Sequence, residues 1–308
     1  PVKVKNFEWK TIFNWSKNNS MVESLPEGID KIQIGSGVYN VKSYAEVGKP
    51  YGAIYAKTFK RDAEGYILCQ LDGSPKEGQD YEYLGCVQAD WRGGWNNVFR
   101  LGNFSFSVMF DFQKGGKFFS QTSIQSSVDG QSVKSLEGRD ADFFSRKILG
   151  ESDEERYGFM RPQNANTPTA NGQIYPDWGR PKGVVLPNCR YDEDVEGLAG
   201  QQVLGYCTPE RYWMHYTSRD ISRFIYDASY VKLREITVSY DLPKKWLRKT
   251  PFQTFRVAAV GRNIATLFAN TPHGLDPQAT STTGNAQGFE RGFNLPSATY
   301  GFDIKVSF

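Results

Sequence analysis

The sequence predicts an all-β protein: six antiparallel strands from the wall of a transmembrane barrel, with long loops gathered at one end. Three observations carry this expectation. The segment 299–308 alternates without exception, with Tyr300, Phe302, Ile304, Val306 and Phe308 on one face and Thr299, Gly301, Asp303, Lys305 and Ser307 on the other. Ten residues is about the length a tilted strand needs to cross a bilayer. Several other segments repeat the pattern. The connections between them alternate between short turns and long loops, the habit of outer-membrane barrels.

Composition narrows the classes. The chain has 308 residues and a net charge of +3, without the basic excess of a nucleic-acid binder. Hydrophobic residues make up 39% and aromatics 15%, and no run of 18 apolar residues exists, so no transmembrane helix is expected. A barrel strand shows lipid only every second residue, which averages its hydropathy away. The chain begins Pro1-Val2-Lys3-Val4, with neither an initiator Met nor an apolar leader, and reads as processed or as a piece of something longer.

Taken in order, residues 7–17 place Phe7, Trp9, Thr11, Phe13 and Trp15 on one face. Tryptophan near a strand end suits an interfacial girdle. Residues 19–90 form a long loop with β-like pieces at 51–59 and 66–70 and a turn at Leu71-Asp72-Gly73-Ser74-Pro75. A strand at 91–100 turns at Leu101-Gly102-Asn103 into 103–113, where Phe104, Phe106, Val108, Phe110 and Phe112 share a face. The second long loop, 114–228, is rich in Asn, Pro and Gly. The next strand, 229–241, turns Ile236, Val238 and Tyr240 outward, and the same register puts Lys232 and Arg234 outward at headgroup height. A turn through Leu242-Pro243-Lys244-Lys245 leads to 252–268, with Phe255, Val257 and Ala259 outward. A third loop, 270–297, precedes the final strand. Inward positions collect Asp111, Glu235, Arg256, Arg262, Asp303 and Lys305, charges that a wet lumen tolerates and lipid does not.

Six strands cannot close a bacterial barrel, which needs at least eight, and open edges in lipid stay unsatisfied. Further strands must come from elsewhere. Two other readings fit parts of the pattern: a secreted, soluble β-sandwich carbohydrate-binding module, and a β-rich glycosidase working through loop carboxylates. No G-x-S-x-G, H-E-x-x-H, P-loop or Rossmann motif is present, so neither an enzyme nor a cofactor is expected.

Candidate sites lie in the loops. Tyr175, Trp178, Tyr191, Tyr206, Tyr212, Trp213, His215 and Tyr216 offer rings for a sugar, or for the loop's own core; Tyr175, Trp178, Tyr212, Trp213, His215 and Tyr216 are taken as the substrate-binding set. Asp192-x-Asp194-x-Glu196-Gly197 has the start of a calcium loop, but Val203 stands where the closing Glu belongs, so no metal is expected. Cys69 with Cys86, and Cys189 with Cys207, are expected to staple loops as disulfides, the alternative being four thiols.

Several stretches together resemble a known family. The run Ser229 to Pro243, Gly261-Arg262-Asn263-Ile264, Gly274-Leu275-Asp276-Pro277, Phe104 to Gly116, Leu295-Pro296-Ser297, and Trp9 with Asn14 are similar to segments of SusC/RagA-type TonB-dependent outer-membrane transporters of Bacteroidetes. The similarity spans most of the chain outside 120–225. It implies that the chain is the C-terminal part of a 22-stranded barrel, with Tyr300, Phe302, Ile304, Val306 and Phe308 on the insertion strand. It also implies a plug that contacts the TonB complex, a SusD-type lipoprotein lid, and uptake of oligosaccharides or peptides through the outer membrane.

Overall fold

The structure is a computed structural model that describes residues 1–138, 184–207, 209–272, 274–279, 287–292 and 297–308. Six long strands, Phe7–Ser16, Trp91–Leu101, Phe104–Lys114, Tyr230–Asp241, Thr254–Ala269 and Thr299–Ser307, pair in that order in one antiparallel sheet. Each falls within two residues of its expected bounds. A short strand, Val2–Val4, adds to the Phe7 edge. Three residues are too few to show a period, so the sequence did not announce it.

The register stacks like with like across the sheet. Phe7, Leu101, Phe104, Tyr240, Val257 and Ile304 form one row, and Trp9, Phe99, Phe106, Val238, Ala259 and Phe302 the next. On the opposite face the matching row is Glu8, Arg100, Ser105, Ser239, Ala258 and Asp303. Rings along the apolar rows stack, Trp9 on Phe99 at 6.0 Å, Phe99 on Phe106 at 6.1 Å and Trp95 on Phe110 at 5.8 Å. Such cross-strand pairs contribute roughly 0.2–1 kcal/mol each.

Two polar side chains on this face accept bonds from its indoles. Trp9 Nε1 donates to Asn97 Oδ1 at 3.1 Å, and Trp95 Nε1 donates to Thr11 Oγ1 at 2.9 Å. An amide or hydroxyl facing hydrocarbon is costly unless bonded, and here the indoles of the same face bond them. Among the described residues no second sheet covers the apolar rows, and Phe302 is 86% exposed. That overturns the soluble sandwich, whose inner faces must bury each other.

One register expectation fails. Leu233 pairs with Phe110 and Glu235 with Met109, so Arg234 is an extra residue, a β-bulge. The facing strand is irregular at the same height, where Asn263 adopts φ +50°, a left-handed conformation that Asn tolerates better than most residues. The bulge reverses the parity above it. Val231 and Leu233 join the apolar face beside Phe112 and Phe110, and Lys232 turns to the polar face beside Asp111. Lys232 and Arg234 are therefore inward, not at headgroup height.

The long loops all leave one end of the sheet and knit into a cap. Lys31–Ser36, Lys42–Glu46, Ala53–Ala56 and Glu82–Cys86 make a four-stranded sheet within the first loop. Ile67–Cys69 lies parallel to Val184–Tyr191 of the second loop. Lys117–Ser120 pairs with Ile225–Asp227 and with Phe289–Glu290 of the third. Two cores result. One gathers Phe59, Ile67 and Cys69 with Val184, Tyr191, Tyr212 and Trp213; the other joins Ile54, Phe119, Ile124, Phe224 and Phe289. The described parts of the second loop are thus ordered structure rather than an irregular stretch.

A buried carboxylate fastens the third loop to the second. Helix Gln121–Val128 is N-capped by Ser120, and Glu290 accepts from Ser120 Oγ at 2.6 Å, Thr122 N at 3.1 Å and Thr122 Oγ1 at 2.7 Å. A negative group there also complements the positive end of the helix.

Candidate functional site

The polar face of the wall is the site that the fold builds. Charged side chains lie on this face, and several of them pair across neighbouring strands. Arg234 donates to Asp111 Oδ2 from Nε at 2.8 Å and Nη2 at 2.7 Å, and from Nη1 to Asn263 Oδ1 at 2.9 Å. Arg262 Nε meets Glu235 Oε2 at 3.0 Å. Arg256 grips Asp241 with two bonds of 2.6 and 2.9 Å. Asp303 and Lys305 stand on the same face, opposite Ala258 and Arg256. A row of paired charges makes a hydrophilic surface that water and polar solutes wet.

The third loop folds down onto this face. Lys232, only 5% exposed, donates to Asp276 Oδ1 at 2.6 Å. Gln278 Nε2 donates to Tyr230 Oη at 2.5 Å, and Tyr230 Oη in turn donates to Asp111 Oδ2 at 3.3 Å. Arg234 also donates to the Gln278 side-chain oxygen. The turn is self-braced: Gln278 N–H donates to Asp276 Oδ1 at 2.7 Å and Thr271 Oγ1 to Leu275 O at 2.6 Å. The bulge at Arg234 makes this clamp, because it swings Lys232 and Arg234 inward under the loop. No spacing rule in the sequence marks that bulge; the neighbouring Arg-Asn of 262–263 is its only local sign.

The substrate-binding set divides. Tyr175 and Trp178 lie outside the described residues. Tyr212, Trp213 and Tyr216 are fully buried in the cap core, so they are packing residues, a correction to the expected binding role. Trp213 Nε1 donates to Glu137 O at 3.1 Å, and burial pushes the Tyr212 hydroxyl up to about 12. His215 alone of the four is exposed. Tyr191 also sits in that core. Tyr300, Phe302, Ile304 and Val306 lie in the last strand on the apolar side of the wall, with Phe308 just beyond it.

The acidic loop is occupied by the protein itself. Asp192 is buried and takes Lys60 Nζ at 2.8 Å and Lys76 Nζ at 2.8 Å. Burial pushes its carboxyl upward, but the bonds from Lys60, Lys76 and the Glu193 N–H outweigh that and hold it at about 2. Asp194 also pairs with Lys76.

Neither expected disulfide, Cys69 with Cys86 or Cys189 with Cys207, is formed, which corrects both. Cys86 pairs with Ala53 in the four-stranded sheet, whereas Cys69 lies opposite Tyr191 in the other core. Cys189 faces Val203 and Cys207 faces Val184, at opposite ends of one hairpin, roughly 13–17 Å apart along the strands and far beyond disulfide reach. Burial pushes the Cys207 thiol up to about 12, and a hydrogen bond with Cys189 together with burial raises Cys69 well above its ordinary value.

Comparison with protein-family models finds no match. The chain is 23% identical, over 96% of its length and 26% of that protein, to TonB-dependent receptor P3 of Formosa agariphila. In fold it is similar to the RagAB peptide transporter, with a TM-score of 0.56 at 14% identity over 100% of this chain and 28% of that one. A second RagAB structure, the importer in its closed-closed state, gives 0.53 at 15% identity, again over 100% of this chain and 28% of that one. The chain spans about a quarter of the length of these relatives. The resemblance read from the motifs is thereby borne out: over nearly its whole length the chain is similar to part of a TonB-dependent receptor, and it shares the fold of part of an outer-membrane peptide transporter.

Proposed function

We propose that this chain forms part of the wall and extracellular cap of a TonB-energised importer that takes oligosaccharides or peptides across the outer membrane beneath a SusD-type lipoprotein lid. The observation that carries the reading is the two-faced sheet. Its apolar rows are uncovered while its alternate face is a surface of paired charges, and every long loop leaves the same end. In the intact barrel further strands pair with the open edges at Val2–Val4 and Thr299–Ser307, as lipid requires of any backbone it meets.

The division of labour follows from the geometry. The apolar rows hold the chain in lipid. The polar face lines the passage and contacts the plug. The cap forms the mouth on which the lid closes, and the turn at 274–279 narrows that mouth from the inside. The likeness to a RagAB peptide transporter favours a peptide over a glycan as cargo.

The test is to purify the intact protein from native outer membranes and measure uptake of labelled oligosaccharide and peptide in cells. The reading expects a lipoprotein to co-purify and uptake to stop when the proton-motive force is collapsed. Uptake that persists without that force contradicts the energised mechanism.

A further inference from the structure

We infer that the turn at 242–251 is a docking surface for anionic phospholipid headgroups on the periplasmic leaflet. The inference rests on the outer-membrane reading above. The turn joins Tyr230–Asp241 to Thr254–Ala269 at the end of the sheet opposite the cap, the same end as the Leu101-Gly102 turn. It is a strongly charged patch that the importer reading leaves unused.

Its sequence, Leu242-Pro243-Lys244-Lys245-Trp246-Leu247-Arg248-Lys249-Thr250-Pro251, holds four cations and no carboxylate. A single helical turn, Lys244–Leu247, is pinned by Leu247, which is buried, while Trp246 is 58% exposed. Lys244, Lys245, Arg248 and Lys249 are all exposed. Among the described residues none of the four side chains has an ion-pair or hydrogen-bond partner. Elsewhere at this end Arg256 is paired with Asp241, and Lys3 with Glu8 at 3.5 Å, whereas the turn offers its own cations no carboxylate. The charge on the turn is therefore matched only by something outside the wall.

Two features say what that partner is. The patch is continuous with the lipid-facing surface, since Phe252 at the base of the turn packs on Phe255 at 6.0 Å and Phe308 at 5.2 Å. The cations are spread over an open turn rather than gathered around a cavity. A spread of positive charge suits a sheet of phosphates better than one small anion. Trp246, exposed among these cations, is the kind of side chain that settles at a headgroup boundary.

The experiment uses the intact protein in nanodiscs of phosphatidylethanolamine alone or with an equal part of phosphatidylglycerol, and native mass spectrometry counts the lipids retained. Phosphatidylglycerol is expected to be retained in preference. The combined K244Q/K245Q/R248Q/K249Q variant should reduce that preference at least about tenfold, at roughly fivefold per cation near an anionic surface. The charge-conserving K244R/K245R/R248K/K249R variant should keep it, and Trp246→Ala should lower retention of both lipids by a few fold. Equal retention of the two lipids by the unaltered protein overturns the inference, as does a charge-removed variant that retains phosphatidylglycerol normally. A protein, rather than lipid, lost from the complex on charge removal overturns it in favour of a periplasmic partner. Failure to enter nanodiscs at all contradicts the outer-membrane reading instead.

Discussion

Phe302 in the wall is 86% exposed, and Phe59 in the cap is 1% exposed. Both regions are β structure built with aromatic and branched apolar residues. The wall keeps its apolar rows on the outside and pairs its charges on the other face. The cap does the reverse, closing two apolar cores and bonding the carboxylates that it buries, Asp192 and Glu290. The difference teaches that each region is matched to its own solvent. In water the cap gains the usual roughly 25 cal/mol per Å² for apolar burial, whereas the wall gains it only when hydrocarbon covers its rows. The cap holds itself together; the wall needs the membrane.

Substitutions can sharpen or break that comparison. The largest effect is expected at Trp213, the biggest side chain in the cap core. Trp213→Ala should cost the cap about 3–5 kcal/mol through the cavity and the lost bond to Glu137. Limited proteolysis would show the loops cut while the membrane-embedded strands keep their heat-modifiable gel mobility. If wall and cap were lost together, they would be one cooperative unit.

Next comes a charge in the apolar rows. Val108→Arg, paired across the sheet with Ile236, should destabilise the folded barrel by about 2–4 kcal/mol, while Ser107→Arg on the polar face costs little. Urea unfolding in lipid vesicles measures both, and equal costs would contradict the two-faced wall. A smaller effect is expected from Asp276→Ala, which leaves buried Lys232 without its carboxylate, a loss of about 1–3 kcal/mol. Amides in 274–279 should then exchange faster, while those in Trp91–Leu101 stay unchanged. Unaltered exchange in the loop would mean that something other than Lys232 holds it.

The smallest effect depends on pH. Asp192 is held at about 2 when folded, below its ordinary 3.8, so its contribution is full above about pH 4 and is lost as pH falls through about 2. Cap stability should therefore decline across that window, and Asp192→Asn should flatten this part of the profile. A decline that Asp192→Asn leaves intact would assign it to other carboxylates.

The strands were legible because alternation survives any context: Phe104 to Phe112 reads the same in lipid or in a protein core. Which solvent met those rings was legible only from loop lengths and motif order. Lys232 and Arg234 were misplaced because a single inserted residue resets parity and leaves almost no trace in composition. Tyr212, Trp213 and Tyr216 were misjudged because an aromatic side chain suits a binding face and a core equally. Only the pairing of Ile67–Cys69 with Val184–Tyr191, more than a hundred residues away, decides that they are buried. The cysteine pairs failed for a related reason, since spacing along the chain says nothing of which strand ends meet.

The most direct measurement of the central claim is labelling of single cysteines placed along the last strand of the intact protein in membranes. In a Cys86→Ser background, Phe302→Cys, Asp303→Cys, Ile304→Cys and Lys305→Cys are treated with a membrane-impermeant maleimide. The account predicts a period of two, with positions 303 and 305 labelled and 302 and 304 protected by hydrocarbon. Uniform labelling at all four positions, or the opposite alternation, would contradict it.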